Sequence, residues 1–149
     1  MIVLASDHLG YPLKNRVIEY LKERGIPYED VGLAEGERGD YPVPAWKAAR
    51  AVASGEADKG IIFCGTGLGI SLAANKVKGI RCVVCSEPYT ARMSREHNDC
   101  NMLALGARVV GGELAVMIVD TWLNTGFEGG RHQTRLEMIA KIEDGGEPS

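Results

Sequence analysis

The chain has 149 residues, of which 45% are hydrophobic and 25% charged, with a formal net charge of −3. That is the make-up of one globular domain able to bury a core without disulfides or metal. The acidic balance and the lack of any Lys/Arg run argue against nucleic-acid binding. No segment approaches membrane-spanning length, and the apolar start, Met1 to Ser6 before Asp7, is too short for a signal peptide, so a cytoplasmic protein is expected.

Strand and helix signals alternate along the chain. Ile2 to Ser6 reads as the first strand and ends at Asp7-His8-Leu9-Gly10, two titratable residues where α/β folds place ligands. Pro12 suits a helix's first turn, Leu13, Val17, Tyr20 and Leu21 form an apolar stripe, and Gly25 stops the helix. Ile26 to Val31 is a second strand, Gly32 to Asp40 a polar loop, and Pro44 to Ser54 an Ala-rich helix ended by Gly55. Ile61 to Cys64 and Arg81 to Cys85 follow as strands three and four. Ser86 reads as a cap with Pro88 in the first turn of a helix to about His97, and Met102 to Leu105 is a short fifth strand.

The segment Gly112 to Asn124 is apolar around most of its circumference, so it needs cover on more than one side, for which a partner subunit is a candidate. Arg131 to Glu143 is the last helix and Gly145 to Ser149 a frayed tail. The pattern predicts an α/β fold, a single domain over residues 1–149, with a five-stranded parallel sheet and helices on both faces. With the common strand order 2-1-3-4-5, the loops after strands one and three diverge and leave a crevice, where Asp7-His8 would face Cys64-Gly65-Thr66.

The stretch Ile61 to Lys76 carries the most chemical information. A buried strand runs into glycines at alternate positions, Gly65, Gly67 and Gly69, and then into a helix, an arrangement that turns backbone N–H groups toward a ligand and welcomes negative charge. Cys64 sits at the lip of that loop, where a thiolate would be stabilised and could act as base or nucleophile. The alternative is a small apolar residue ending a core strand.

Cys82 and Cys85 have C-x-x-C spacing, but a strand sends residues three apart to opposite faces, and no second pair completes a zinc site. Arg131 and Arg135, four apart on one helix face, could grip a phosphate; the alternative is a solvated face with ion pairs to Glu128 or Glu137. His97-Asn98 should sit at the N-terminal edge of the sheet, away from the crevice. Any role for His97 in that crevice would have to be played across a subunit interface.

Several blocks, taken in order, carry a resemblance that spans essentially the whole chain: Ser6-Asp7-His8, Asp40-Tyr41-Pro42, Cys64 to Ser71, Ala73-Ala74-Asn75-Lys76, Ser94 to Asp99, and Gly129-Gly130-Arg131-His132-Gln133. The sequence is similar to the sugar-phosphate isomerases of the ribose-5-phosphate isomerase B type, a family that also includes allose-6-phosphate and galactose-6-phosphate isomerases. The resemblance implies a Rossmann-like three-layer α/β/α sandwich and a homodimer, sometimes a tetramer, with active sites shared between subunits. It also implies no metal and no cofactor.

At the position of Cys64 the family carries the base that moves a proton between C2 and C1 of the open-chain sugar. Some members instead have a glutamate where this chain has Ile70, so Cys64 with Ile70 marks the cysteine branch. The resemblance further implies that His97 is the ring-opening acid, aided by Asp7, and that Thr66 and the amides of Gly65, Gly67 and Gly69 surround the sugar oxygens. Tyr41 and Asn98 would line the site, and His8, Arg108, Arg131 and Arg135 would hold the phosphate. Ribose 5-phosphate is the expected substrate, with a six-carbon aldose 6-phosphate as the alternative. Two readings from other classes are a nucleotide- or flavin-binding module, for which Glu87 would be the ribose-binding carboxylate, and a thiol redox protein using Cys82 and Cys85.

Overall fold

The apolar run ending at Cys64 is buried on both faces and forms the middle strand of the sheet. In the computed structural model, which describes residues 1–149, the elements alternate as β1 (Ile2–Ser6), α1 (Tyr11–Glu23), β2 (Tyr28–Asp30), α2 (Pro42–Ala53), β3 (Lys59–Cys64) and α3 (Leu68–Ala74). They continue as β4 (Cys82–Val84), α4 (Pro88–Glu96), β5 (Met102–Gly106), α5 (Gly112–Leu123) and α6 (Arg131–Glu143). All five strands are parallel.

The strand order is β2-β1-β3-β5-β4, not the 2-1-3-4-5 expected from sequence. The physical reason lies in the strands themselves. Met102 to Gly106 is buried at every position, as a strand flanked on both sides must be, whereas the three residues of β4 grade from buried Cys82 to exposed Val84, as suits an edge. The exchange matters for the site, because it lays Gly106 beside Cys64 and brings the β5–α5 loop against the glycine loop.

Alternation along each strand divides the core in two. Ile61 and Phe63 face Leu13, Val17 and Leu21 of α1 and Ile118, Val119 and Trp122 of α5. Ile62 and Cys64 face Ala45, Ala48 and Ala49 of α2 and Ile70 and Ala74 of α3. Each large apolar side chain buried this way contributes about 1.5–3 kcal/mol. The C-x-x-C pair obeys the same rule, with Cys85 in the first cluster and Cys82 in the second, and all four cysteines are free.

One local expectation is corrected. Glu87, not Ser86, caps α4, its carboxylate accepting from the Thr90 N–H at 3.0 Å. Helix α5 is covered chiefly by its own chain, packed between α1 and α4, and leaves Met117 exposed. The exposed apolar side chains gather instead on α2 and α3, at Val43, Trp46, Leu68 and Leu72, and on α6, at Met138, Ile139 and Ile142.

Sequence reading missed Lys14. It is fully buried in α1, and its Nζ donates to Asp30 Oδ1 at 2.8 Å and to the Leu33 carbonyl at 2.7 Å, which ties down the loop that follows β2 beside the crevice. A lysine at a position spaced like the apolar stripe carries no sequence signal of that bond. Replacing Lys14 by Met leaves the Leu33 carbonyl without its donor, while Asp30 keeps the Gly32 N–H and, about a third exposed, can rehydrate, so the expected loss is about 2 kcal/mol in urea unfolding.

Candidate active site

Four loops meet at the C-terminal edge of the sheet. The loop after β1 lies against β3, the Asp7 N–H donating to the Phe63 carbonyl at 3.2 Å. Asp7 is buried, and its Oδ1 accepts from the Gly10 N–H at 2.9 Å, which fixes the carboxylate at the mouth of the crevice. His8 beside it is half-buried, with its Nδ1 out of solvent and without a hydrogen-bond partner. It borders a cavity of about 290 Å³ shared with Tyr11, Ala34, Gly36, Glu37 and Arg38.

Cys64 ends β3 at 5% exposure, and its sulfur accepts from the Gly67 N–H at 3.1 Å. Gly67 is the residue that permits this contact. Its φ of +82° turns the loop back so that the N–H addresses the sulfur, a conformation that L side chains rarely adopt. The Thr66 hydroxyl accepts from the Leu68 N–H at 3.2 Å, and its side chain is exposed to the crevice.

Tyr41, just before α2, lays its ring over Gly69, where an added Cβ would come within 2.7 Å of the ring. From the other side the β5–α5 loop bonds to the glycine loop. The Ala107 N–H donates to the Cys64 carbonyl and the Arg108 N–H to the Gly65 carbonyl, both at 2.9 Å, and Arg108 is exposed. Asp7, His8, Tyr41, Cys64, Gly65, Thr66, Gly67, Gly69 and Arg108 are thus brought together at this edge.

The remaining candidates form a second group. His97 caps the C-terminus of α4, and Asn98 follows it, its carbonyl accepting from Arg81 Nε at 2.9 Å. The Glu128 N–H donates to the Glu96 carbonyl, which brings the start of α6 alongside, and the His97 and His132 rings stack with centroids 4.3 Å apart. Arg131 and Arg135 are exposed on α6 and make no ion pair. Glu128 lies beside His132 instead, and Glu137 beside Gln133. The ion-paired alternative for the two arginines does not hold in this chain.

The two groups lie at opposite ends of the sheet. His97 precedes the start of β5, whereas Cys64 pairs with Gly106 at its end, and the strand between spans roughly 13 Å. A cavity of about 460 Å³ opens on the His97 side, between the C-terminal half of α6 and Asn75, Arg81, Cys82, Asn98 and Cys100. It is apart from Cys64.

Could a metal sit here? One oxygen of Glu128 and one nitrogen each of His97 and His132 lie within 4.8 Å of one another. The two rings are only 14° from parallel, however, so their in-plane lone pairs do not converge on one point as placed. The thiol redox reading fails on geometry and burial together. Cys82 and Cys85 face opposite sides of the sheet, burial pushes both thiols up, and burial holds Cys100 at about 12. Glu87, the carboxylate a nucleotide-binding reading would use, is engaged with Thr90.

Comparison with known proteins settles the family. A family model described as ribose/galactose isomerase matches residues 2–139. The chain belongs to the ribose/galactose isomerase family. It is 58% identical to ribose-5-phosphate isomerase B of Escherichia coli (strain K12) over 142 residues, which cover 95% of each chain. It superposes on the ribose-5-phosphate isomerase B structure from Clostridium thermocellum with a TM-score of 0.95 at 58% identity, covering 97% of both chains. It also matches the family's Mycoplasma genitalium enzyme solved with bound ribulose-5-phosphate, at TM-score 0.91 and 39% identity, covering 96% of this chain and 95% of that one. No helix is long and apolar enough to cross a membrane.

The histidine stack has a pH signature. Burial, then the neighbouring His97 and Arg131, hold His132 below its ordinary value of 6.5 despite Glu128 beside it. Below that value the unfolded chain binds a proton the folded chain refuses, so this contribution is full above about pH 6.5 and is lost as pH falls through the folded value. Urea midpoints should therefore fall on acidification from about pH 7, and His132→Phe should flatten the fall.

Proposed function

We propose that the chain interconverts D-ribose 5-phosphate and D-ribulose 5-phosphate, working as one isomerase domain over residues 1–149 at a site completed by a second copy. The observation that carries this reading is the Gly67 N–H directed at a cysteine sulfur, inside a crevice that also holds a buried carboxylate and an exposed arginine. That set supplies a base, N–H donors for a developing oxyanion and an anchor for a phosphate.

The chemistry runs in two stages. Ring opening needs an acid at the ring oxygen and a base at the anomeric hydroxyl. His97 of one copy gives its proton to the ring oxygen as the C1–O bond breaks, and Asp7 receives the hydroxyl proton. In the open aldehyde the Cys64 thiolate takes the proton on C2, and the electron pair moves to the C1 oxygen, giving an enediolate. N–H groups of the loop from Gly65 to Gly69 and the Thr66 hydroxyl stabilise that oxygen; one such donor is worth roughly 3–4 kcal/mol in other enzymes. The hydroxyl proton passes from O2 to O1 and the Cys64 thiol returns its proton to C1, leaving the ketose.

Binding energy from the far end of the substrate holds C1 and C2 against the sulfur. His8, Arg108, Arg131 and Arg135 take the phosphate, while Tyr41 and Asn98 line the sugar. The second copy is required by distance, since His97, Asn98, Arg131 and Arg135 are a strand's length from Cys64 in their own chain. The exposed apolar residues Leu68 and Leu72 of α3, next to the glycine loop, are suited to carry the contact.

The test is ketose formation by the purified protein from ribose 5-phosphate, with allose 6-phosphate in parallel. The pentose should give the higher kcat/KM, and Cys64→Ala should lower its turnover by about 10²–10⁴-fold, the range for loss of a general base. An unchanged rate in Cys64→Ala removes the sulfur from the mechanism.

A further inference from the structure

The chain has three histidines, and the reaction as described uses only His8 and His97. His132, in the first turn of α6, lies flat beneath His97, with ring centroids 4.3 Å apart and planes 14° from parallel. It is 6% exposed where His97 is half-buried. Its Nε2 is shut off from solvent without a hydrogen bond, 3.6 Å from Glu128 Oε2. The other charged groups around the pair are Arg92 and Glu96 on α4 and Arg131 and Arg135 on α6.

An acid that must meet a sugar's ring oxygen needs its ring plane fixed, yet the outer torsion of a histidine is broad and sets no plane unaided. His97 stands at a helix end, where its own backbone supplies little restraint. A flat, buried neighbour supplies it. The neighbour must also carry no charge, because a cation 4.3 Å from His97 would oppose the proton that His97 has to hold. Burial and the adjacent cations hold the pKa of His132 below the ordinary value and so favour the neutral ring.

Resting on the isomerase reading above, we propose that His132 is a positioning residue, a buried platform that holds the His97 imidazole in the plane from which it protonates the ring oxygen. The platform serves ring opening and has no part in the proton transfer at Cys64. The two duties separate experimentally, because ribulose 5-phosphate has its 5-hydroxyl esterified and cannot close a furanose ring. Exchange of its C1 proton with solvent through Cys64 needs no ring to be opened.

The experiment measures two rates in each variant: conversion of ribose 5-phosphate, and deuterium wash-in at C1 of ribulose 5-phosphate in D2O, followed by NMR. His132→Ala should lower kcat for conversion by about tenfold or more with KM within about twofold, and leave wash-in within about threefold of wild type. His132→Phe, which restores a flat ring, should recover most of the conversion rate. His132→Gln, which fills volume without a ring, should behave like His132→Ala.

Wild-type conversion in His132→Ala and His132→Gln would overturn the proposal, as would a parallel fall in conversion and wash-in. Cys64→Ala, run alongside, should lose both rates. If wild-type protein showed neither rate, the isomerase reading beneath the proposal would itself fall.

Discussion

A parallel sheet points all its strands one way, and that polarity governs everything else in this molecule. Loops that follow strands gather at one edge and loops that precede them gather at the other, with a packed core between. Cys64 ends β3 and His97 lies ahead of β5, so a rigid strand separates the proposed base from the proposed ring-opening acid. No side-chain rotation closes roughly 13 Å. Under the isomerase reading the chain holds two half-sites, each useless without the other half from a second copy.

Each half is preorganised by backbone bonds. In the cysteine half, β1, β3 and β5 lie side by side, so the loops that follow them bond to one another through Asp7, Phe63, Cys64, Gly65, Ala107 and Arg108. The glycine loop needs few side chains because its donors are main-chain N–H groups, and Tyr41 closes over Gly69, where no Cβ stands in the way. In the histidine half the restraint comes from aromatic stacking and from the bond between the Glu128 N–H and the Glu96 carbonyl. Arg131 and Arg135 remain without ion pairs beside it, and under the isomerase reading they take the phosphate.

Much of this was legible in the sequence because the signals were local. The alternating strands and helices, the tight glycine turn after Cys64, and the opposite faces of Cys82 and Cys85 follow from periodicities of two and 3.6 residues and from glycine's freedom. The bounds of α6, Arg131–Glu143, were read to the residue. What escaped was non-local. Strand order depends on which strand is buried on both sides, and the fully apolar Met102 to Gly106 competed with a β4 segment that is apolar too. Lys14 sits at a core position with nothing nearby in sequence to announce its partners Asp30 and Leu33, sixteen and nineteen residues on. The stacking of His132 on His97 depends on how α6 returns to α4, which no spacing encodes.

The claim that the site is built from two chains has a direct test in subunit complementation. Purified Cys64→Ala and His97→Asn proteins, each inactive alone, would be unfolded together, refolded as a mixture and assayed for conversion of ribose 5-phosphate. If Cys64 of one copy works with His97 of the other, half of the randomly formed dimers carry one intact site, and the mixture recovers about a quarter of wild-type activity. A mixture as inactive as its two components, in protein shown to have exchanged subunits, would mean that both residues serve the same site from the same chain and would contradict the account.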